Sequence, residues 1–154
     1  MKQIVTCKEM KALDGNMIEG IGIPSCVLME RAALAVAEEA KNLLSNRRDL
    51  AISGQISWSA AENSGILAVC GMGNNGADGI AAARILKGWG YRVKILLWGN
   101  PEQATQENRL QQKIAEKLQI PMVWEGQKGE ALWKQEMEEG RWPVVICLLY
   151  TSDA

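Results

Sequence analysis

Residues 66–89 read Ile-Leu-Ala-Val-Cys-Gly-Met-Gly-Asn-Asn-Gly-Ala-Asp-Gly-Ile-Ala-Ala-Ala-Arg-Ile-Leu-Lys-Gly-Trp, and the middle of this stretch holds the residues best suited to chemistry. An apolar run, Ile66 to Cys70, enters a loop with four glycines, Gly71, Gly73, Gly76 and Gly79, which then opens an alanine-rich helix. Glycine lets a backbone approach a ligand closely, and a helix N-terminus presents N–H groups with partial positive charge. Such a turn suits phosphate. Asn74 and Asn75 add amides that can donate to phosphate or offer oxygen to a cation, and Asp78 adds a carboxylate. An acid beside phosphate repels it, so the sequence reading gives Asp78 a capping, loop-ordering or ribose-binding role just before a helix at 79–89.

Two familiar phosphate loops are tested by the residues around the glycines. The spacing Gly71-x-Gly73-x-x-Gly76 matches the dinucleotide fingerprint, but that motif also needs an acid about twenty residues on, at the end of the next strand. Here the strand ends Leu96-Leu97-Trp98-Gly99-Asn100, without one. The ATPase loop fails as well, because Gly76 is followed by Ala77-Asp78 and not by Lys-Ser/Thr. A bare strand-to-helix turn needs neither four glycines nor an asparagine pair.

Composition narrows the chemistry further. The 154-residue chain has no histidine, so histidine triads and histidine metal sites are excluded. Its four cysteines, Cys7, Cys26, Cys70 and Cys147, form no Cys-x-x-Cys pair, which favours reduced thiols and a cytoplasmic setting. Cys70 has no basic neighbour in sequence to activate it and reads as a buried strand-end thiol. A formal charge of −1 gives no pull toward nucleic acid, and no apolar run reaches the length of a membrane span. Six dispersed tryptophans read as core or interface residues, not a stacking platform. Glu30-Arg31 could project toward the site, but adjacent helix charges read more readily as solvated or locally paired, and Asp14 as a residue that could fix the loop at 20–24.

The elements that must position the loop follow from periodicity. Thr6 and Glu9 fit a capping box for a helix over about 7–19. Pro24-Ser25 introduces a second helix, with Val27, Leu28, Ala32, Ala35 and Val36 on its apolar face, ending near Asn46. Residues 49–64 read as an extended loop. Strands are expected at 66–70, 91–97, 120–124 and 143–148. Helices are expected at 79–89, at 102–118 behind Asn100-Pro101, and near 128–138. This alternation predicts an α/β chain: a three-layer α/β/α Rossmann-like fold with a mostly parallel sheet and two leading N-terminal helices.

At this resolution of detail the chain resembles the NAD(P)H-hydrate epimerase family, the YjeF N-terminal domain. The family hallmark, Gly-x-Gly-Asn-Asn-Gly-Gly-Asp-Gly followed by Ala-Arg-x-Leu, corresponds to Gly71–Gly79 and Ala83-Arg84-Ile85-Leu86. Met10, Leu13-Asp14, Gly22-Ile23-Pro24 and Leu28-Met29-Glu30-Arg31-Ala32 resemble the family's two leading helices in order and spacing. The resemblance implies an isomerase of nicotinamide nucleotide repair, interconverting the R and S forms of hydrated NADH and NADPH. It implies substrate binding by Asn74, Asn75, Gly76, Ala77 and Asp78, with Asn75 also a ligand of a potassium ion. Ala77 stands where the family has glycine, which is harmless if its φ is negative. The implied companions are an ADP- or ATP-dependent NAD(P)H-hydrate dehydratase and, through the leading helices, a second copy in a homodimer. Neither nucleic acid nor membrane is implied.

The resemblance covers residues 1–146, read as a partial domain of roughly two-thirds of the family's length. After Pro143-Val144-Val145-Ile146 the family places a catalytic aspartate and a second glycine-rich loop. Here Cys147 stands at the acid's position, and residues 147–154 form an atypical tail. The catalytic residue is therefore unknown, and the chain is expected to be a poor epimerase. A non-catalytic nucleotide-binding or dimerisation scaffold module of the same fold is the alternative reading.

Overall fold

The structure is a computed structural model that describes residues 5–55, 65–125, 134–136 and 142–149. Helix α1 (Cys7–Gly15) starts at the expected capping box: Glu9 N–H donates to Thr6 Oγ1 at 3.3 Å, and Thr6 N–H donates to Glu9 Oε2 at 2.7 Å. These donors hold the Glu9 carboxyl below its ordinary range. A π-helical turn, Asn16–Gly20, extends α1, and Gly22 then takes a left-handed φ of 86°. Helix α2 (Ser25–Ile52) follows Pro24 and buries Met29, Ala33, Ala37, Ala40 and Leu44, the repeat of one helical face. It runs past Asn46 because Arg47-Arg48-Asp49 has no helix-breaking residue. It ends where Ser53 caps it and Gly54 turns left-handed at φ 76°. The expected loop at 49–64 is thus helical to Ile52, and residues 56–64 lie outside the described set.

Strand β1 (Gly65–Cys70) is buried along its whole length, as a central parallel strand must be. It leads to α3 (Asn74–Gly88), β2 (Arg92–Trp98), a 3-10 turn (Pro101–Gln103), α4 (Gln106–Lys117), β3 (Met122–Glu125) and β4 (Val144–Leu148). The single helix expected at 102–118 is divided. Asn100 Oδ1 accepts from Glu102 N–H at 3.0 Å to cap the short turn, and Ala104 and Thr105 are then extended. The break has a tertiary cause: Thr105 N–H donates to Met72 O in the glycine loop at 3.0 Å, and α4 restarts with Thr105 as its own N-cap. Of the helix expected near 128–138, only residues 134–136 are described, and they are helical.

The sheet has the order β3-β2-β1-β4, and all its pairings are parallel. One face carries Ile66, Ala68, Val93, Ile95, Leu97, Val144 and Ile146 against α2, α3 and α4 in one continuous core. The opposite face holds a smaller cluster of Leu67, Val69 and Leu96, with Val123 and Trp142 packed on it. β4 returns to the far side of β1. Residues 134–136 sit on this second face: Lys94 on β2 pairs with Glu136, which also accepts from Trp142 Nε1 at 3.0 Å. The expected Rossmann-like parallel sheet between helical layers is thereby observed.

The tryptophans divide more evenly than expected. Trp124 and Trp142 pack on the two core clusters, whereas Trp89 and Trp98 are 42% and 40% exposed; Trp58 and Trp133 lie outside the described residues. No helix among the described residues is long and apolar enough to cross a membrane.

Candidate active site at the glycine loop

The chain leaves β1 for β2 on one side, while β4 lies on the other, so the strand order reverses between β1 and β4. In open parallel sheets the crevice outside the carboxyl ends of the strands at such a switch point is where ligands bind. The glycine loop, residues 71–73, occupies this position, and Gly71 N–H donates to Leu148 O at the end of β4 at 3.0 Å.

Backbone packing explains two of the loop's glycines. A Cβ on Gly76 would lie 1.9 Å from Gly71 O, a separation no side chain can occupy, so the first turn of α3 rests directly on the end of β1. A Cβ on Gly79 would lie 2.8 Å from Cys70 Sγ, which locks the second turn against the strand. The helix therefore begins earlier than periodicity suggests, at Asn74 with Gly73 as N-cap. Its first ladder bond runs from Ala77 N–H to Gly73 O at 3.1 Å. The N–H groups of Asn74, Asn75 and Gly76 precede that bond, in the position from which a helix addresses anions.

Of the roles expected for Asp78, this start removes capping. The residue lies one turn inside α3, not ahead of it, and no side chain caps this helix. Asp78 is half-buried, and burial first, then the Asp14 carboxylate, push its pKa up from 3.8 to about 6. Asp14, on α1, thus acts electrostatically on the site. Ala77 has no positive φ and is fully buried toward the core, so its methyl group does not intrude on the loop's open side. Asn74 is exposed and Asn75 half-buried, and the five expected substrate residues lie together on the first turns of α3.

Two further contributors come from other helices. Asn108, fully buried in the first turn of α4, donates through Nδ2 to Gly71 O at 2.9 Å and to Gly73 O at 3.0 Å. Its Oδ1 accepts from Gln112 Nε2 at 2.6 Å. A lone Asn in a polar helix segment carries no sequence signal for this. The second contributor is an ion pair: Glu30 on α2 pairs with Arg84 on α3, so the leading-helix motif meets the loop motif. Glu30 is therefore paired across the fold, not locally. Cys70 is buried, and burial together with the Cys147 thiol pushes its pKa up, consistent with an inert thiol. Cys147 is exposed on β4 in register with Val69.

No group of three or more His, Cys, Asp or Glu that could hold a metal exists among the described residues. Asn75, half-buried on the first turn of α3, carries an amide oxygen, a donor of the class hard cations accept. The carbonyls of Gly71 and Gly73 already accept from Asn108.

Comparison with known proteins agrees with this geometry. Residues 25–147 match the family described as YjeF-related protein N-terminus. An NAD(P)H-hydrate epimerase of Lentilactobacillus buchneri is 42% identical over 124 residues, covering 80% of this chain and 51% of the relative. One of Limosilactobacillus reuteri is 44% identical over 119 residues, covering 77% of this chain and 49% of the relative. The chain spans about half the length of these curated relatives. The crystal structure of yeast ynu0 shares the fold, with a TM-score of 0.74 at 19% identity, covering 99% of this chain and 58% of that one. With a glycine loop at the strand switch point and a family match over most of its length, this chain belongs to the YjeF-related N-terminal family.

Proposed function

We propose that this chain carries the nucleotide-binding half of an NAD(P)H-hydrate epimerase, an isomerase that interconverts the R and S forms of hydrated NADH and NADPH. The observation that supports this most directly is the first turn of α3, seated on Gly71 and held by Asn108 so that its leading N–H groups stand at the β1/β4 crevice. In this reading those N–H groups and the Asn74 and Asn75 amides bind the substrate's phosphate groups. Asp78, whose carboxyl is half-neutralised near pH 6, sits close to them with less repulsion than a fully charged acid.

Asn75 is proposed as one oxygen ligand of a potassium ion, whose chemistry is to offset phosphate charge. No proton-transfer residue at the reacting carbon is assigned, because Cys147 stands where the family places its acid. An ADP- or ATP-dependent dehydratase as functional companion, and a homodimer through the leading helices, complete the proposal.

Isothermal titration with ADP-ribose and NADPH, with and without potassium, tests it. Binding that strengthens with potassium in the wild type and loses that sensitivity in Asn75→Ala is expected. Absence of any nucleotide binding would instead favour the scaffold reading.

A further inference from the structure

We propose that a cleft between α4 and the edge strand β3 is a subsite for a phosphorylated aminopurine nucleoside, the adenylate end of the dinucleotide inferred above; the identity of the whole ligand rests on that reading. The cleft has a volume of about 270 Å³ and is lined by Trp124 and Met122 of β3 and by Arg109, Gln112, Lys113 and Glu116 of α4. That volume falls just below the ~300 Å³ lower end of sites for drug-sized ligands, so it suits one ring system and not a whole dinucleotide.

The lining matches the parts of an adenylate. Trp124 is half-buried and offers an aromatic surface for stacking a base. Arg109 and Lys113, one helical turn apart, supply positive charge for phosphate, and the Arg109 guanidinium is steadied by donating to Glu102 O at 2.9 Å. Glu116, two turns from Arg109 and so roughly 10 Å along the helix axis, supplies an acceptor for an exocyclic amine. Two cations and a carboxylate along one side of α4, beside an aromatic side chain, offer partners to phosphate, amine and base together, which inorganic phosphate alone would not use.

The cleft is also joined to the glycine loop. Gln112 lines it and donates to Asn108 Oδ1 at 2.6 Å, while Asn108 holds the carbonyls of Gly71 and Gly73. A ligand that engages Gln112 therefore bears on the same amide that sets the loop.

The test is isothermal titration of the chain with 5′-AMP, nicotinamide mononucleotide and ADP-ribose, with the Trp124 indole followed by NMR. Lys113→Ala and Arg109→Ala are expected to weaken 5′-AMP and ADP-ribose by about tenfold, as loss of a charge-assisted contact does, and to leave nicotinamide mononucleotide unchanged. Trp124→Phe, which keeps an aromatic ring and the core packing, is expected to retain 5′-AMP binding. Asn75→Ala is expected to weaken nicotinamide mononucleotide and ADP-ribose and to leave 5′-AMP unchanged. If all three ligands bind but neither cation variant changes 5′-AMP, the subsite is overturned and the dinucleotide reading stands. If 5′-AMP binding depends on Lys113 while nicotinamide mononucleotide does not bind, the subsite stands and the dinucleotide reading falls.

Discussion

Asn108 Nδ2 donates to the carbonyl oxygens of both Gly71, at 2.9 Å, and Gly73, at 3.0 Å, so a single buried amide from α4 fixes the turn that leaves β1. The loop's carbonyls are thereby held inward and satisfied, which a loop of glycines could not achieve through side chains of its own.

Replacing Asn108 with alanine strands the buried Gly71 carbonyl and takes one of two donors from Gly73 O, which keeps Ala77 N–H. We expect a loss of roughly 1–3 kcal/mol, the cost of leaving one buried carbonyl unpaired. Asn108→Asp is expected to be worse, because a carboxylate would face two carbonyl oxygens with no proton to share. Urea denaturation measures both, and an Asn108→Ala variant as stable as wild type would show that the bonds contribute nothing.

Gly76 and Ala77 make an informative adjacent pair. Gly76→Ala places a methyl group 1.9 Å from Gly71 O, so α3 must move off β1, at an expected cost of at least ~3 kcal/mol together with loss of nucleotide binding. Ala77→Gly is expected to cost about 1 kcal/mol through helix propensity, with nucleotide affinity retained. Thermal melts and ligand titrations on the two variants give the comparison, and equal effects at both positions would contradict this packing.

The pH dependence of stability should carry the mark of Asp78. Its pKa rises from 3.8 to about 6 on folding, so between those values the folded state binds more protons than the unfolded chain. Stability from this group is present below pH 4 and is lost as pH rises through about 6. Asp78→Asn is therefore expected to stabilise the protein at pH 7.5, on the order of 1–2 kcal/mol once solvent screening of a part-exposed group is allowed for. At pH 4 the change should be near zero. Asp14→Asn should bring the Asp78 pKa back toward its ordinary range, read by carboxyl carbon NMR titration. A stabilisation by Asp78→Asn that is the same at both pH values would rule out titration as its source.

The Glu30–Arg84 pair ties α2 to α3, but its two side chains are 49% and 21% exposed. We expect a coupling energy below about 1 kcal/mol from a double-mutant cycle with Glu30→Gln and Arg84→Met, falling further at high salt. A coupling of several kcal/mol would show that the pair is far better desolvated than its exposure suggests.

Much of the architecture was legible from residues alone, and the reason differs by element. The capping box at Thr6 and Glu9 is a local interaction three residues wide, so it needs no tertiary information. Strands β1 and β2 are apolar runs between turn residues, and their parallel pairing follows from the helix between them. Where expectation and structure part, a contact from elsewhere decides. The helix expected at 102–118 is broken at Ala104 and Thr105 because Thr105 N–H is taken by Met72 O, more than thirty positions earlier. Helix α3 starts at Asn74, not at residue 79, because the Gly76 backbone fits against Gly71.

The same division holds for the site. Sequence by itself determined the glycine and asparagine inventory of residues 71–79, the exclusion of histidine chemistry and the likeness to one family, because these depend only on which residues stand in what order. Tertiary structure decided that the loop lies at the β1/β4 switch point, that Asn108 anchors it, that Glu30 meets Arg84, and that Asp78 sits half-buried within reach of Asp14's charge. Hydrogen bonds and electrostatic fields act across space, and residues far apart in the chain share them only after the sheet has brought their elements together.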